Sequence, residues 1–370
     1  MVKSTNQSLL LLYSLATFGS TTHLSTVGLK LDRISDSDGE EEDAYEELLL
    51  CDEAEEEEDQ YQPPIRFLGE PLIHVPAPDL MQKYMLPIDA KLAEEILNHR
   101  HQVLDRIHGK GDLLVVVGPR RIRDPYQAQE CSRWIPTMAC DNIQLCMRTN
   151  FSLKYNGTSA LFEVGHGLPL TRELLLEMAL RLPLVGQTQD LLLHHYFDDI
   201  FSMLLVLLLL CELQLHREIA LGIQFPVGFA CHDDDTLYSE ITYNHKLQLC
   251  FDSMLASKNP HHFMNITKQG LVAVMGTTGN EDTFVVVNVT KMCFLQIDEI
   301  LAKVGDRPVM IDVGSLGNAE YELVETKLRH IMLVHPTVAG VIVELGDEYD
   351  LPTEAIENTP KLVKALAQMV

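Results

Sequence analysis

Short, mainly apolar runs, separated by stretches long enough for a helix, recur along this chain and restrict its fold more than any other feature. They fall at residues 113–117, 143–147, 183–185, 204–210, 226–229, 262–266, 309–311 and 341–343. A strand with one wet face alternates apolar and polar side chains. A run that is apolar throughout is covered on both faces, the condition of a parallel sheet wrapped by helices. Eight such strands in sequence predict a (β/α)8 barrel. Residues 88–108 put Leu92, Ile96, Val103, Leu104 and Ile107 on one stripe before Gly109 and Gly111, which predicts an amphipathic helix with a glycine stop. In residues 271–288, LVAVMGTTGNEDTFVVVN, two β-rich runs flank a Gly-Asn turn and predict a hairpin inserted after the sixth strand.

The formal charge is −26, but residues 36–59 hold 15 Asp or Glu and no Lys or Arg, so the rest of the chain carries −11. That excess of acid excludes a chain built to hold nucleic acid or an anionic membrane surface. The acidic runs repel themselves, so residues 1–65 read as a disordered arm, 66–112 as an N-terminal extension with its helix, and 113–370 as the barrel. The leucine-rich block 203–211 is under half the length of a membrane span and reads as a buried element. Eight cysteines show no CxxC pair, so reduced, mostly buried thiols in a cytoplasmic protein are expected.

In such a barrel the working residues follow the strands. Here these are Arg120, Arg121 and Arg123 after the first strand, Arg148 after the second, then Gln187, Glu212, His232 with Asp233 to Asp235, Lys268, Asp312 with Ser315, and Glu344. The arginines form either a cationic floor for a phosphate or carboxylate, or surface charge paired with neighbouring acids. Position alone weighs the two equally.

The blocks LLVVVGPRRIRDP, QLHREIALGIQFPVGF, HHFMNITKQGLVAVMGTTGNEDTFVVV, VMIDVGSLGN and GVIVE, in this order and spacing, resemble the type I 3-deoxy-D-arabino-heptulosonate-7-phosphate (DAHP) synthases, above all the fungal, aromatic-amino-acid-regulated form. The resemblance runs from about Arg66 to the C-terminus. It implies a (β/α)8 barrel with an N-terminal extension, a divalent metal, and an aldol-like condensation of phosphoenolpyruvate with erythrose 4-phosphate, the first step of the shikimate pathway.

The departures fall at the site that the resemblance implies. Arg120 stands where the family's GPCSIHDP motif has its metal-binding Cys, and a fixed cation repels a divalent metal. Asp312-Val-Gly-Ser315-Leu316 lacks the His of the D-[YF]-S-H motif. Glu344 keeps the Glu ligand, and Glu354 is the nearest match to the last ligand, an Asp. Arg148 keeps the phosphoenolpyruvate arginine, and Lys154 alone can stand in for the lysine of the following segment. Leu209, Ala230 and Asn288 replace an arginine, a lysine and an arginine of the family. The expected metal ligands are therefore only Glu344 and Glu354, with the divalent ion weakly held or absent. A salt bridge from Glu344 to Arg120 is the preferred alternative.

Arg148 and Lys268 are the catalytic candidates, with a structural ion pair the competing role for Lys268. His194 and His195 with Asp198 and Asp199 read as an exposed polar helix face rather than a metal site, and His232 with its three aspartates as a solvated loop. Two functions follow. One is a DAHP synthase-like aldolase of impaired activity, or a relative retuned to another phosphorylated or keto-acid substrate, feeding aromatic precursors to a specialised pathway. The other is an inactive family member that pairs with an active synthase subunit; homo-oligomers are also expected.

Overall fold

In a computed structural model the described residues are 75–122, 124–151, 164–188, 191–231, 242–316, 321–335, 337–346 and 353–370, all within the compact unit Pro71–Val370. The acidic arm, Lys154, His232 and Asp233 to Asp235 lie outside the described residues. Helix α1 (Ala90–Ile107) starts where the Asp89 carboxylate accepts the Leu92 N–H at 2.7 Å. It stops before Gly109 and Gly111, at φ 77° and 70°, a backbone conformation open to glycine. The same logic explains the Asp124-Pro125 pair. Asp124 caps helix α2 (Pro125–Trp134) and the proline fills its first turn, where no N–H is needed.

The barrel strands are β1 (Leu113–Gly118), β2 (Ile143–Arg148), β3 (Leu184–Gln187), β4 (Met203–Val206), β5 (Val227–Ala230), β8 (Thr283–Asn288), β9 (Val309–Ser315) and β10 (Val338–Glu344). They close in the order β1-β10-β9-β8-β5-β4-β3-β2, every pair parallel. Helices α3 (Val164–Ala179), α4 (Gln214–Gly222), α5 (Tyr243–Lys258), α6 (Phe294–Val304), α7 (Tyr321–Val334) and α8 (Thr353–Ala367) follow β2, β4, β5, β8, β9 and β10, and the described residues between β3 and β4 include the 3-10 turn Leu193–Tyr196.

Strand parity divides the core in two. Leu114, Val116, Cys146, Val185, Met203, Leu205, Ala230, Phe284, Val286, Met310 and Ile342 pack together inside the barrel. Their neighbours Leu113, Val115, Leu145, Leu184, Leu204, Phe229, Val285, Ile311 and Val341 pack outward with the helices. Val103 and Ile107 of α1 join the inner set and so close one end of the barrel. Arg106 donates to the carbonyls of Val338 at 2.7 Å and Ala339 at 3.2 Å, and Arg100 to those of Asp198 at 2.6 Å and Phe201 at 2.8 Å. These carbonyls begin or precede strands, so α1 covers the N-terminal end and leaves the C-terminal mouth free of it.

The barrel is as expected, but the hairpin is displaced. It consists of β6 (His262–Ile266) paired antiparallel with β7 (Val272–Gly276), outside the barrel, and lies before the sixth barrel strand rather than after it. That strand is β8. HFMNI alternates in burial, as a hairpin with one open face must, whereas TFVVV of β8 is buried throughout. Gly228 of β5 makes room for β8, since a Cβ there would lie 2.4 Å from the Phe284 ring. The fourth strand is also shorter than its leucine run: it ends at Val206, and Leu208–Cys211 turns as a short helix.

Candidate active site at the barrel mouth

Inward parity carried one step beyond the inner core gives the mouth: Gly118, Arg148, Gln187, Leu207, Asn288, Asp312 and Glu344, with Ala230 of the inner core at the end of β5 beside them. Gly118 is required beside β2, because a Cβ there would sit 2.7 Å from the Arg148 carbonyl oxygen. Arg148 is 6% exposed and Glu344 9%. One Arg148 amine donates to Glu344 Oε1 and another to Gln187 Oε1 at 3.0 Å, while its Nε is buried with no protein acceptor. The guanidinium therefore straps β2 to β3 and β10. The expected pairing of Glu344 with Arg120 is corrected: Arg148 makes it. Arg120 reaches β10 through its backbone instead, donating its N–H to Gly346 O at 3.0 Å, while Asn150 Nδ2 donates to the Arg120 carbonyl at 3.0 Å.

On the opposite wall Asn288 Nδ2 donates to Asp312 Oδ2 at 3.0 Å, and the Gly314 N–H donates to Asp312 Oδ1 at 2.8 Å. The Asn288 N–H in turn donates to the Tyr243 hydroxyl at 3.2 Å. Behind this wall Lys327 is buried, its ammonium on the carbonyls of Val289 at 2.9 Å and Thr290 at 3.0 Å, and desolvation lowers its pKa.

Among the described residues, the donors at the mouth do not fit a divalent metal. Glu344 is held by a fixed cation, each Asp312 oxygen accepts a hydrogen bond, and Ser315 brings neither an imidazole nor a thiolate. Glu354 stands exposed in the first turn of α8. Among the described residues no group of three or more His, Cys, Asp or Glu side chains is placed to hold an ion.

Lys268 is elsewhere. It lies in the turn between β6 and β7, where its ammonium donates to Asp198 at 2.5 Å and Gln82 at 3.2 Å, and its carbonyl accepts the Asp79 N–H. Asp198 precedes β4, so this contact belongs to the N-terminal side of the sheet and not to the mouth. The expected exposed His/Asp helix face is also corrected. Residues Leu193–Tyr196 form a single 3-10 turn, and His194 is 8% exposed. Burial, then His195, Lys268 and His216, hold His194 well below its ordinary pKa. Asp199 is clamped by Arg172, which is fully buried and also donates to the Leu86 and Tyr196 carbonyls at 2.8 and 2.7 Å.

Two of these roles were missed in the sequence. Gln187 was visible only as a strand-end residue, and its partnership with Arg148 needed the barrel closed. Arg172 was signalled by one cation inside the apolar stretch LPLTRELLLEMAL. The seven described cysteines are unpaired; five are buried and Cys293 is exposed. None of the described helices is long and apolar enough to cross a membrane.

Comparison with known proteins gives consistent results. The DAHP synthetase I family matches residues 86–346. The phenylalanine-inhibited phospho-2-dehydro-3-deoxyheptonate aldolase of Saccharomyces cerevisiae is 31% identical over 225 residues, 57% of this chain and 58% of that protein. An aldolase of the same name from Alternaria alternata is 29% identical over 72% of this chain and 77% of its own length. The Tyr-sensitive enzyme of Escherichia coli is 29% identical over 71% and 79%. The solved phospho-2-dehydro-3-deoxyheptonate aldolase of Francisella tularensis superposes with a TM-score of 0.65 at 22% identity, covering 82% of this chain and 98% of that one, which shows the shared fold.

Proposed function

Because the chain belongs to the DAHP synthetase I family, we propose that it is a divergent aldolase of that family, condensing phosphoenolpyruvate with erythrose 4-phosphate to DAHP far below the family's usual rate. One observation carries this: Arg148, the retained phosphoenolpyruvate arginine, is already bound to Glu344, the retained metal carboxylate. An incoming carboxylate or phosphate has to compete with a buried internal anion for the same guanidinium, which charge-assisted pairing makes costly. On the erythrose phosphate side, Ala230 and Asn288 offer no cation, and Asn288 spends its amide on Asp312.

The family's metal polarises a substrate carbonyl, and no step is assigned to it in this mouth because the donors do not suit it. What the described residues supply at the mouth is an oxyanion anchor, Arg148, held by Gln187. Glu354, exposed in the first turn of α8, is given no divalent-ion role in the proposal, and Lys154 as a phosphate contact remains part of it. So does Lys268 as an acid or phosphate contact, although its bond to Asp198 supports a structural part for it.

The test is phosphate release from phosphoenolpyruvate with erythrose 4-phosphate, with and without Mn. Trace turnover is expected, and a metal-dependent rate normal for the family refutes the impairment. Arg120→Cys alone is expected to restore nothing. Recovery should need Ser315→His, Ala230→Lys, Leu209→Arg and Asn288→Arg as well.

A second reading, a partner subunit for an active synthase, is favoured by the hairpin. Met264, Val272 and Val274 share its open face at 71%, 67% and 72% exposure, with Leu271 beside them at 62%. Uncovered apolar surface of this kind marks an interaction site. Co-purification with an active synthase, lost on Met264→Lys with Val274→Lys, would support that reading, and co-purification unchanged by that double substitution, or none at all, would remove it.

A further inference from the structure

We infer that the barrel mouth takes no divalent cation because the guanidinium of Arg148 serves there as the permanent counter-ion of Glu344. The inference rests on the family reading above and deepens it by naming the group that occupies Glu344 where Arg120 and Ser315 offer a metal no further donors. Three features make this pairing fixed. The guanidinium is buried and held from two sides, by Glu344 on β10 and Gln187 on β3. Its backbone is pressed against Gly118, where there is no room even for a Cβ, so the side chain leaves the strand at a set point. Asp312, a second inward carboxylate, has one oxygen on the Asn288 amide and the other on the Gly314 N–H.

A divalent ion entering this mouth would have to displace the guanidinium from Glu344. That leaves a buried cation unpaired beside a new double charge, with Ser315 and the Arg120 position offering neither imidazole nor thiolate. The exchange is unfavourable at each of these points. Removal of the guanidinium should therefore create the cation affinity that the wild-type chain lacks.

The experiment loads the full chain with Mn, passes it through gel filtration and measures metal per chain, alongside a Mn titration followed by electron paramagnetic resonance. The wild-type chain should retain less than about a tenth of an ion. Arg148→Met should bind Mn at least about tenfold more tightly than wild type, through the released Glu344. If Arg148→Met does not fold, Arg148→Gln, which keeps a hydrogen bond to Glu344 without the charge, gives the same comparison. Retention of about one Mn per wild-type chain, abolished by Glu344→Gln, overturns the inference. Retention that survives Glu344→Gln places the ion outside the mouth and leaves the inference standing. Turnover at the family's rate by metal-free wild-type chain would instead sink the functional reading alone, and a tight Mn site without turnover would sink this one alone.

Discussion

The two ends of the barrel use charge in opposite ways. At the N-terminal end Arg100, Arg106 and Arg172 spend their donors on backbone carbonyls, and only Arg172 also takes a carboxylate, Asp199. These contacts tie α1 and the segment before it to the starts of strands. At the mouth Arg148 spends its donors on two side chains, Glu344 and Gln187, which lie where the barrel fold keeps its chemistry. The cations at the closed end hold backbone, and the cation at the open end holds side chains.

That contrast can be broken experimentally. Arg172→Met should cost the most stability, about 3 to 5 kcal/mol in urea unfolding, because Asp199 and two carbonyls lose a fully buried partner. A loss no larger than that of a surface substitution would erase the distinction between the ends. Glu344→Gln should cost less, about 1 to 2 kcal/mol, since the amide still accepts from Arg148. It should also tighten binding of inorganic phosphate by about tenfold, measured calorimetrically, because the guanidinium is no longer neutralised. Unchanged phosphate binding would mean that the mouth is closed to anions for another reason.

A smaller effect comes from pH. Burial is the first cause lowering the pKa of both His194 and His195 from 6.5, so the folded chain holds them neutral while the unfolded chain protonates them. Stability from these two groups is full above about pH 6.5 and is lost as pH falls through that value. His194→Gln should flatten the decline in urea midpoint between about pH 6.5 and 5 while leaving Mn and phosphate behaviour as in wild type. Smallest of all, Lys268→Ala should cost under about 1 kcal/mol, as its pair with Asp198 is a third exposed, and should leave phosphate binding unchanged. A large fall in phosphate affinity in that variant would return Lys268 to the mouth.

Apolar runs and helical spacing made the barrel legible, since both follow from covering a parallel sheet on two faces. The sixth strand was misplaced because HFMNI precedes TFVVV and both score as β; uniform burial, not β propensity, separates a barrel strand from a hairpin arm. Arg148 and Glu344 were legible as mouth residues from their place after strands. Their union was not, because Arg120 follows a strand as well, and the choice between two arginines depends on inward parity and closure. His194 and Asp198 were misread because an i, i+4 spacing was taken for a helix where the chain makes one 3-10 turn and buries the histidine.

The strap across the mouth also has a consequence for synthesis. Arg148 and Glu344 are 196 positions apart, with β1 between their strands in the closed ring. A chain leaving the ribosome N-terminus first exposes a cation that finds its partner only after nearly the whole barrel has been made. Until then the first and last strands are open edges and Arg148 can be solvated only if the nascent sheet stays unrolled. Chains cut short before β10 should therefore be unable to seal, and quality control should meet them as open sheets rather than as nearly finished barrels.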